Sequence, residues 1–240
     1  MEPRLNRLSA VAAVALAALT LAAACGGGRG GGGGGGDERG DDVVPTAPAG
    51  DQAVAERANL VIGDFPPEWR ATPVAAATSA QTLANERAFA QCMGRPPPDE
   101  DRTAVAYSAD FNSTETRRVA SSAQTARTVE VARADFEAQR GDRALACHKA
   151  QIDSEFRRQL PGSNPQTTVE RLEVPVFGEE TVGFRVDVTS VAQGGQVRTV
   201  IDLVFMRKGR AEVAVNFIER NAPFPQDLQR SLLLRAISRA

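Results

Sequence analysis

The chain has 240 residues, 24% of them charged, and a formal net charge of −2 that becomes −3 once residues 1–24, with Glu2, Arg4 and Arg7, are removed. So even a balance argues against nucleic acid as a partner, because that demands a basic face. The first sixty residues are too biased in composition to pack, which leaves about 180 for a core, enough for one domain that folds without a metal or a partner.

At the N-terminus, Arg4 and Arg7 precede an uncharged small-apolar run over residues 8–24, LSAVAAVALAALTLAAA. Together they have the form of the basic and apolar regions of a secretory signal. The run is also near the minimum length for a membrane-spanning helix, so an uncleaved signal anchor is the alternative. It ends Leu21-Ala22-Ala23-Ala24-Cys25-Gly26, which resembles a bacterial lipobox, with Ala22 where leucine is usual and Leu21 one place further away. That resemblance implies removal of residues 1–24 and acylation of Cys25, placing the protein on the extracytoplasmic face of the cell membrane as a palmitoylated lipoprotein. Two or three acyl chains anchor stably at about 0.8 kcal/mol per buried methylene.

Residues 25–59 are expected to form the lipidated cysteine and a disordered tether, because glycine, then acid, then Pro and Ala cannot offset the entropy of ordering. A glycine-rich coil of about 27 residues spans ~30 Å. The run satisfies GxGxxG repeatedly, yet no strand precedes it and no Lys-Ser/Thr follows, so it is not read as a phosphate site.

Residues 60–240 are expected to be a single α+β domain: an antiparallel sheet, made of a three-strand C-terminal meander plus N-terminal strands, packed with helices. An extended stretch over residues 60–75 contains Pro66 and Pro67, with Trp69 packing on the core. Thr78 and Gln81 have capping-box spacing for a helix that Gly94 and Pro96-Pro97-Pro98 close. Residues 103–111 alternate through Val105, Tyr107 and Phe111, and the polar residues 117–127 suggest an edge strand. Two helices follow near residues 129–140 and 143–160, separated by Gly141-Asp142. A short edge strand is expected at residues 172–176. Three alternating runs between residues 181 and 218 then form the meander, turning at Gly194-Gly195 and Lys208-Gly209. Its inward rows are read as Val182, Phe184, Val186 and Val188; Ile201, Leu203 and Phe205; and Val213, Val215 and Phe217. Pro225 opens a last helix with an apolar stripe of Leu228, Leu232, Leu233, Ala236 and Ile237.

Of the three cysteines, one is assigned to lipid, and the pair left, Cys92 and Cys147, reads as one disulfide in an oxidising compartment, with two free buried thiols as the alternative. It would close a loop of roughly 55 residues and stabilise by about 3–4 kcal/mol. No catalytic residue, metal ligand or cofactor is assigned. His148, the sole histidine, has no carboxylate at helical spacing and reads as a half-exposed surface residue. Asp99-Glu100-Asp101 reads as a solvated turn, without the ligand spacing of a calcium loop. A hydrolase would need Ser108 or Ser122 to meet His148 and an acid, and no GxSxG elbow is present.

Asp64–Trp69 (Asp-Phe-Pro-Pro-Glu-Trp), the helix end Cys92-Met93-Gly94, Tyr107-Ser108-x-x-Phe111, helical Cys147, Phe177-Gly178 and Arg207-Lys208-Gly209-Arg210 resemble actinobacterial lipoproteins. These are similar to the extracytoplasmic sensor domains of receptor Ser/Thr kinases and to lipoproteins of PsbP-like sandwich fold. The resemblance covers residues 60–240 and implies a groove beside the sheet with no established catalytic residues. The expected role is therefore a non-enzymatic, sensor-like binding domain for a hydrophobic small molecule or an envelope protein, with an envelope hydrolase or a structural assembly factor as alternatives.

Overall fold

A computed structural model describes residues 50–73, 80–113, 116–160, 164–192 and 195–240. Cys25, the leader, Thr78 and the Gly194 turn lie outside the described residues. Chain order is α1 (Asp51–Ala58), a 3-10 turn (Ile62–Asp64), β1 (Arg70–Thr72), α2 (Ala80–Met93), α3 (Pro98–Asp101), β2 (Arg102–Tyr107), β3 (Asp110–Asn112) and β4 (Arg117–Ala126). It continues with α4 (Val129–Arg140), α5 (Asp142–Gln159), β5 (Gln166–Leu172), β6 (Glu180–Ala192), β7 (Gly195–Lys208), β8 (Ala211–Arg220) and α6 (Gln226–Ser238). The strands form one antiparallel sheet, ordered β1-β3-β4-β8-β7-β6-β5, with β2 pairing alongside β4. No helix among the described residues is long and apolar enough to cross a membrane.

Helices cover both faces of the sheet, so the meander has two inward sides. On one face Val182, Phe184, Val186, Ile201 and Leu203 pack with Phe136, Cys147, Ile152 and Phe156 of α4 and α5. On the other, Val204, Met206, Val213, Val215 and Phe217 pack with Trp69, Phe224, Leu232 and Leu233. The third row expected from the sequence, Val213, Val215 and Phe217, therefore points away from the Val182 and Ile201 rows. Register shows why: Leu203 faces Asn216, Phe205 faces Ala214 and Arg207 faces Glu212, and strand neighbours directly opposite share a face. Glu212 and Asn216 are thereby carried into the interior.

Three other expectations are corrected. β4 is an inner strand, paired with β8 on one side and with β2 and β3 on the other; its small residues let helices approach closely, and its polar residues find partners inside. The edge strand before β6 is β5 at Gln166–Leu172, earlier than expected, and residues 173–177 run on without regular structure. The domain also begins before residue 60. Ala55 of α1 packs on Ala104 and Ala106 of β2, and Asp51 accepts two bonds from Arg210, at 2.7 and 3.1 Å. Those bonds hold the Asp51 carboxyl below the usual carboxylate range. Alanine-on-alanine packing leaves no bulky apolar signature, so Asp51–Ala58 reads as tether.

Cys92 of α2 and Cys147 of α5 form a disulfide with Cα atoms 5.7 Å apart. Gly94, at φ +73°, ends α2 in the left-handed conformation. Gly178, at φ +72°, lies so near β7 that an added Cβ would sit 2.5 Å from the Arg207 carbonyl oxygen and 2.9 Å from Ile237 Cγ1. Gly209, at φ +60°, has open space at the same position. Gly178→Ala should thus destabilise by about 2–3 kcal/mol and Gly209→Ala by about 1 kcal/mol, since only the first adds a clash to the strain; urea denaturation of both variants measures the order. Replacing Cys92 and Cys147 with serine should remove about 3–4 kcal/mol from a loop of this length, read in the same denaturant series.

Candidate functional site

Because α2 and α4 stand over the face of the sheet where β2, β4, β8 and β7 meet, they leave a cleft of about 130 Å³. Its apolar lining includes Phe89 from α2, Val105 from β2, Phe136 from α4 and Phe205 from β7. Polar groups come from separate elements: Glu86 from α2, Arg102 from β2, Gln124 from β4, Asp135 from α4 and Glu212 from β8. Asp135 and Gln139 lie one turn apart on α4, so both reach the same space. None of the three carboxyls Glu86, Asp135 and Glu212 is more than 8% exposed.

Their partners differ. Arg102 donates to Glu86 at 3.1 Å. Arg95, just past α2, pairs with Asp135 and reaches Asp101 at 3.9 Å. Among the described residues no arginine lies within salt-bridge distance of Glu212: Gln124, directly across the β4–β8 register, donates to its Oε2, while Oε1 is buried with no hydrogen-bond partner. Burial pushes all three carboxyls up. Glu86 rises to about 7; Asp135 and Glu212 are raised first by burial and then by acidic neighbours, Asp101 for Asp135 and Asp135 for Glu212. Among the described residues no group of three or more His, Cys, Asp or Glu is placed to hold a metal ion.

His148 is fully buried, not the half-exposed surface residue that the sequence suggested. The reason is that α2, joined through Cys92, covers the side of α5 that sequence alone leaves open. Its ring lies 4.4 Å from that of Phe184, 4.9 Å from Phe89 and 5.6 Å from Phe205. Nε2 meets Gln139 Oε1 at 3.0 Å and Nδ1 has no partner among the described residues, which fits a neutral imidazole donating through Nε2. Burial, with the charge of Arg171 second, pushes it down to about 3. His148 is thus engaged by an amide and not by a serine. Ser108 accepts from the Ser121 backbone N–H at 2.8 Å and donates to the Ala109 carbonyl at 2.7 Å, on the α1 side of the sheet. Ser122 lines the cleft. Asp99 meets Arg87 at 3.3 Å on the surface, and Asp101 turns toward the cleft.

No protein-family model matches the sequence, and no curated protein matches it. Among solved structures, the chain is similar to LpqN of Mycobacterium tuberculosis, described as involved in cell envelope biogenesis, at 11% identity over 72% of this chain and 75% of that one, with a TM-score of 0.28. It is similar to the extracellular domain of PknH from the same organism at 12% identity over 70% of this chain and 97% of that one, with a TM-score of 0.27. Likeness this loose carries no statement about function.

The signs of the pKa shifts set a pH dependence. His148 lies below the 6.5 of an ordinary histidine, so the native state binds fewer protons than the unfolded chain, and the stability held at neutral pH is lost as pH falls from about 6.5 toward 3. Glu86 lies above the ordinary 4.5. It keeps its proton longer when folded, so its contribution is full below about 4.5 and is lost as pH rises through about 7. Thermal melts should show His148→Phe losing less Tm than the native protein between pH 6.5 and 4, and Glu86→Gln losing less between pH 5 and 8. Curves parallel to the native one would contradict this assignment.

Proposed function

We propose that this chain is an extracytoplasmic lipoprotein, held to the membrane through acylated Cys25, whose folded domain binds a small ligand without chemically altering it. The observation that carries the binding reading is the cleft between α2, α4 and the sheet: it is open in the folded chain, and polar groups from five elements converge in it. Concave sites that combine apolar walls with a few placed polar groups are where small molecules bind. The cleft holds about the space of four water molecules, so it takes a compact ligand or the end group of a longer one. The anchor rests on the leader and Cys25, and the resemblance to sensor-type lipoproteins accords with it. Residues between Cys25 and Gly50 would act as a leash that sets local concentration without fixing orientation.

Two measurements test the two halves. Mass spectrometry of the native protein should find an N-terminal acylated Cys25, and Cys25→Ala should leave the membrane fraction; an intact Met1 would overturn the anchor. A fragment screen with cationic, neutral and anionic compounds of four to six heavy atoms, followed by NMR, should shift resonances of Phe89, Phe136 and Gln124. If compounds of every charge leave them unmoved, the binding reading fails.

A further inference from the structure

The geometry assigns to the cleft a chemical class of ligand, a small organic cation with a primary ammonium head and a short apolar body, whose charge pairs with the Glu212 carboxylate. The assignment rests on the cleft being the binding site proposed above.

Three observations meet at that carboxylate. Glu212 is more than nine-tenths buried, lines the cleft and leaves Oε1 without a partner, and a buried acceptor left unpaired is costly enough that native proteins rarely keep one. Charge in the cleft is uneven as well: Glu86 and Asp135 are each matched by a guanidinium in contact, whereas among the described residues Glu212 has only the Gln124 amide. Arg207, next to it on β7, is engaged by Glu179 at 2.8 Å and by Glu180. Once Glu212 loses its proton, a cation is the group that would match it. Phe89, Phe136 and Phe205 complete the fit, because aromatic faces attract an ammonium and accept a short alkyl body. A compact ammonium with a few carbons matches the cleft volume, and a single charge suits a place where no set of metal ligands converges among the described residues.

Binding would be linked to protons. Glu212 faces Asp135 from α4, Arg95 from the loop after α2, Arg207 from β7 and Gln124 from β4, with Glu86, Asp101 and Arg102 elsewhere on the cleft wall. Burial and Asp135 keep its proton on at neutral pH, so an arriving ammonium displaces that proton into solvent and leaves the carboxylate paired. Affinity should then rise with pH across the neutral range and level off once Glu212 is ionised.

The probe is n-butylammonium, titrated into the folded full-length chain by calorimetry in two buffers of different ionisation enthalpy, with cleft resonances followed by NMR. The expected results are saturable shifts at Phe89, Phe136 and Gln124, release of up to one proton per cation bound, and at least tenfold tighter binding at pH 8.5 than at pH 6. Glu212→Gln should weaken binding at least tenfold and abolish proton release. The pH series on the native protein decides the matter should that variant not fold. Equal or better binding of n-butanol or butyrate in the cleft overturns the cation class while leaving the binding cleft intact. Absence of shifts with all three probes overturns both.

Discussion

Pairing of β4 with β8 joins two stretches of chain that would otherwise have no reason to meet. The register runs from Arg117 opposite Glu219 to Thr125 opposite Ala211. The N-terminal elements α1, β2 and β3 hang on one side of this seam and the meander on the other. Both ends are clamped by charge: Arg117 binds Glu219, and Arg210 binds Asp51 of α1. Since strand side chains alternate between faces, a slip of one residue would turn Gln124 and Ser122 away from α4 and bring Ala123 toward it. The cleft, which straddles the seam, exists only in the native register.

A sheet covered on both sides has nowhere to send its polar residues, so each must be satisfied within the fold. On the α6 side this is done well: Asp202, 1% exposed, takes two bonds from Arg185 at 2.7 and 2.9 Å and a third from Gln229 at 3.2 Å. At the other face Glu212 is only half served. The contrast lies within one sheet, between neighbouring strands. An unpaired buried group of this kind gives up about 1–3 kcal/mol of stability locally.

How much of this could be read in the sequence follows from what each signal measures. Alternation of Val, Ile and Phe made the meander and its Lys208-Gly209 turn plain, and Gly141 marked the end of α4; the cap at its start, where the Thr128 hydroxyl accepts from Val131 N–H at 3.2 Å, was not read. The cysteine pair was legible by parity alone. Alternation does not tell whether a second face is covered, and for that reason Glu212 and Asn216 looked like solvent-facing residues and Val213 like a neighbour of Ile201. Helix α1 was invisible because its packing residues are alanines and its anchor is the ion pair of Asp51 with Arg210, 159 positions away. The cleft was hidden for the same reason: Glu86, Gln124, Asp135 and Glu212 share no local pattern and meet only through the β4–β8 seam. A clue was present in β8, where Glu212 and Asn216 interrupt the otherwise apolar run of residues 211–218 at the same phase.

The walls of the cleft are fixed by contacts outside it, and that bears on what binding there would require. Helix α2 is tied to α5 by the Cys92–Cys147 bridge. Helix α4 is capped at its start by Thr128, and at its end Arg171 donates to the carbonyls of Gln139, at 2.6 Å, Arg140 and Gly141, at 2.8 Å, while its guanidinium lies 4.7 Å from the Phe184 ring centroid. Capping of this kind satisfies carbonyls that would otherwise be orphaned and places positive charge at the negative helix end. Behind the lining, His148 fills the space among Phe89, Phe184 and Phe205 without bringing charge, because burial keeps it neutral well below physiological pH. The field inside the cleft is therefore set by its carboxyls and their two arginines. The ordering that a flexible site would have to undergo on binding has already been met in folding, which favours affinity from few contacts in a small space.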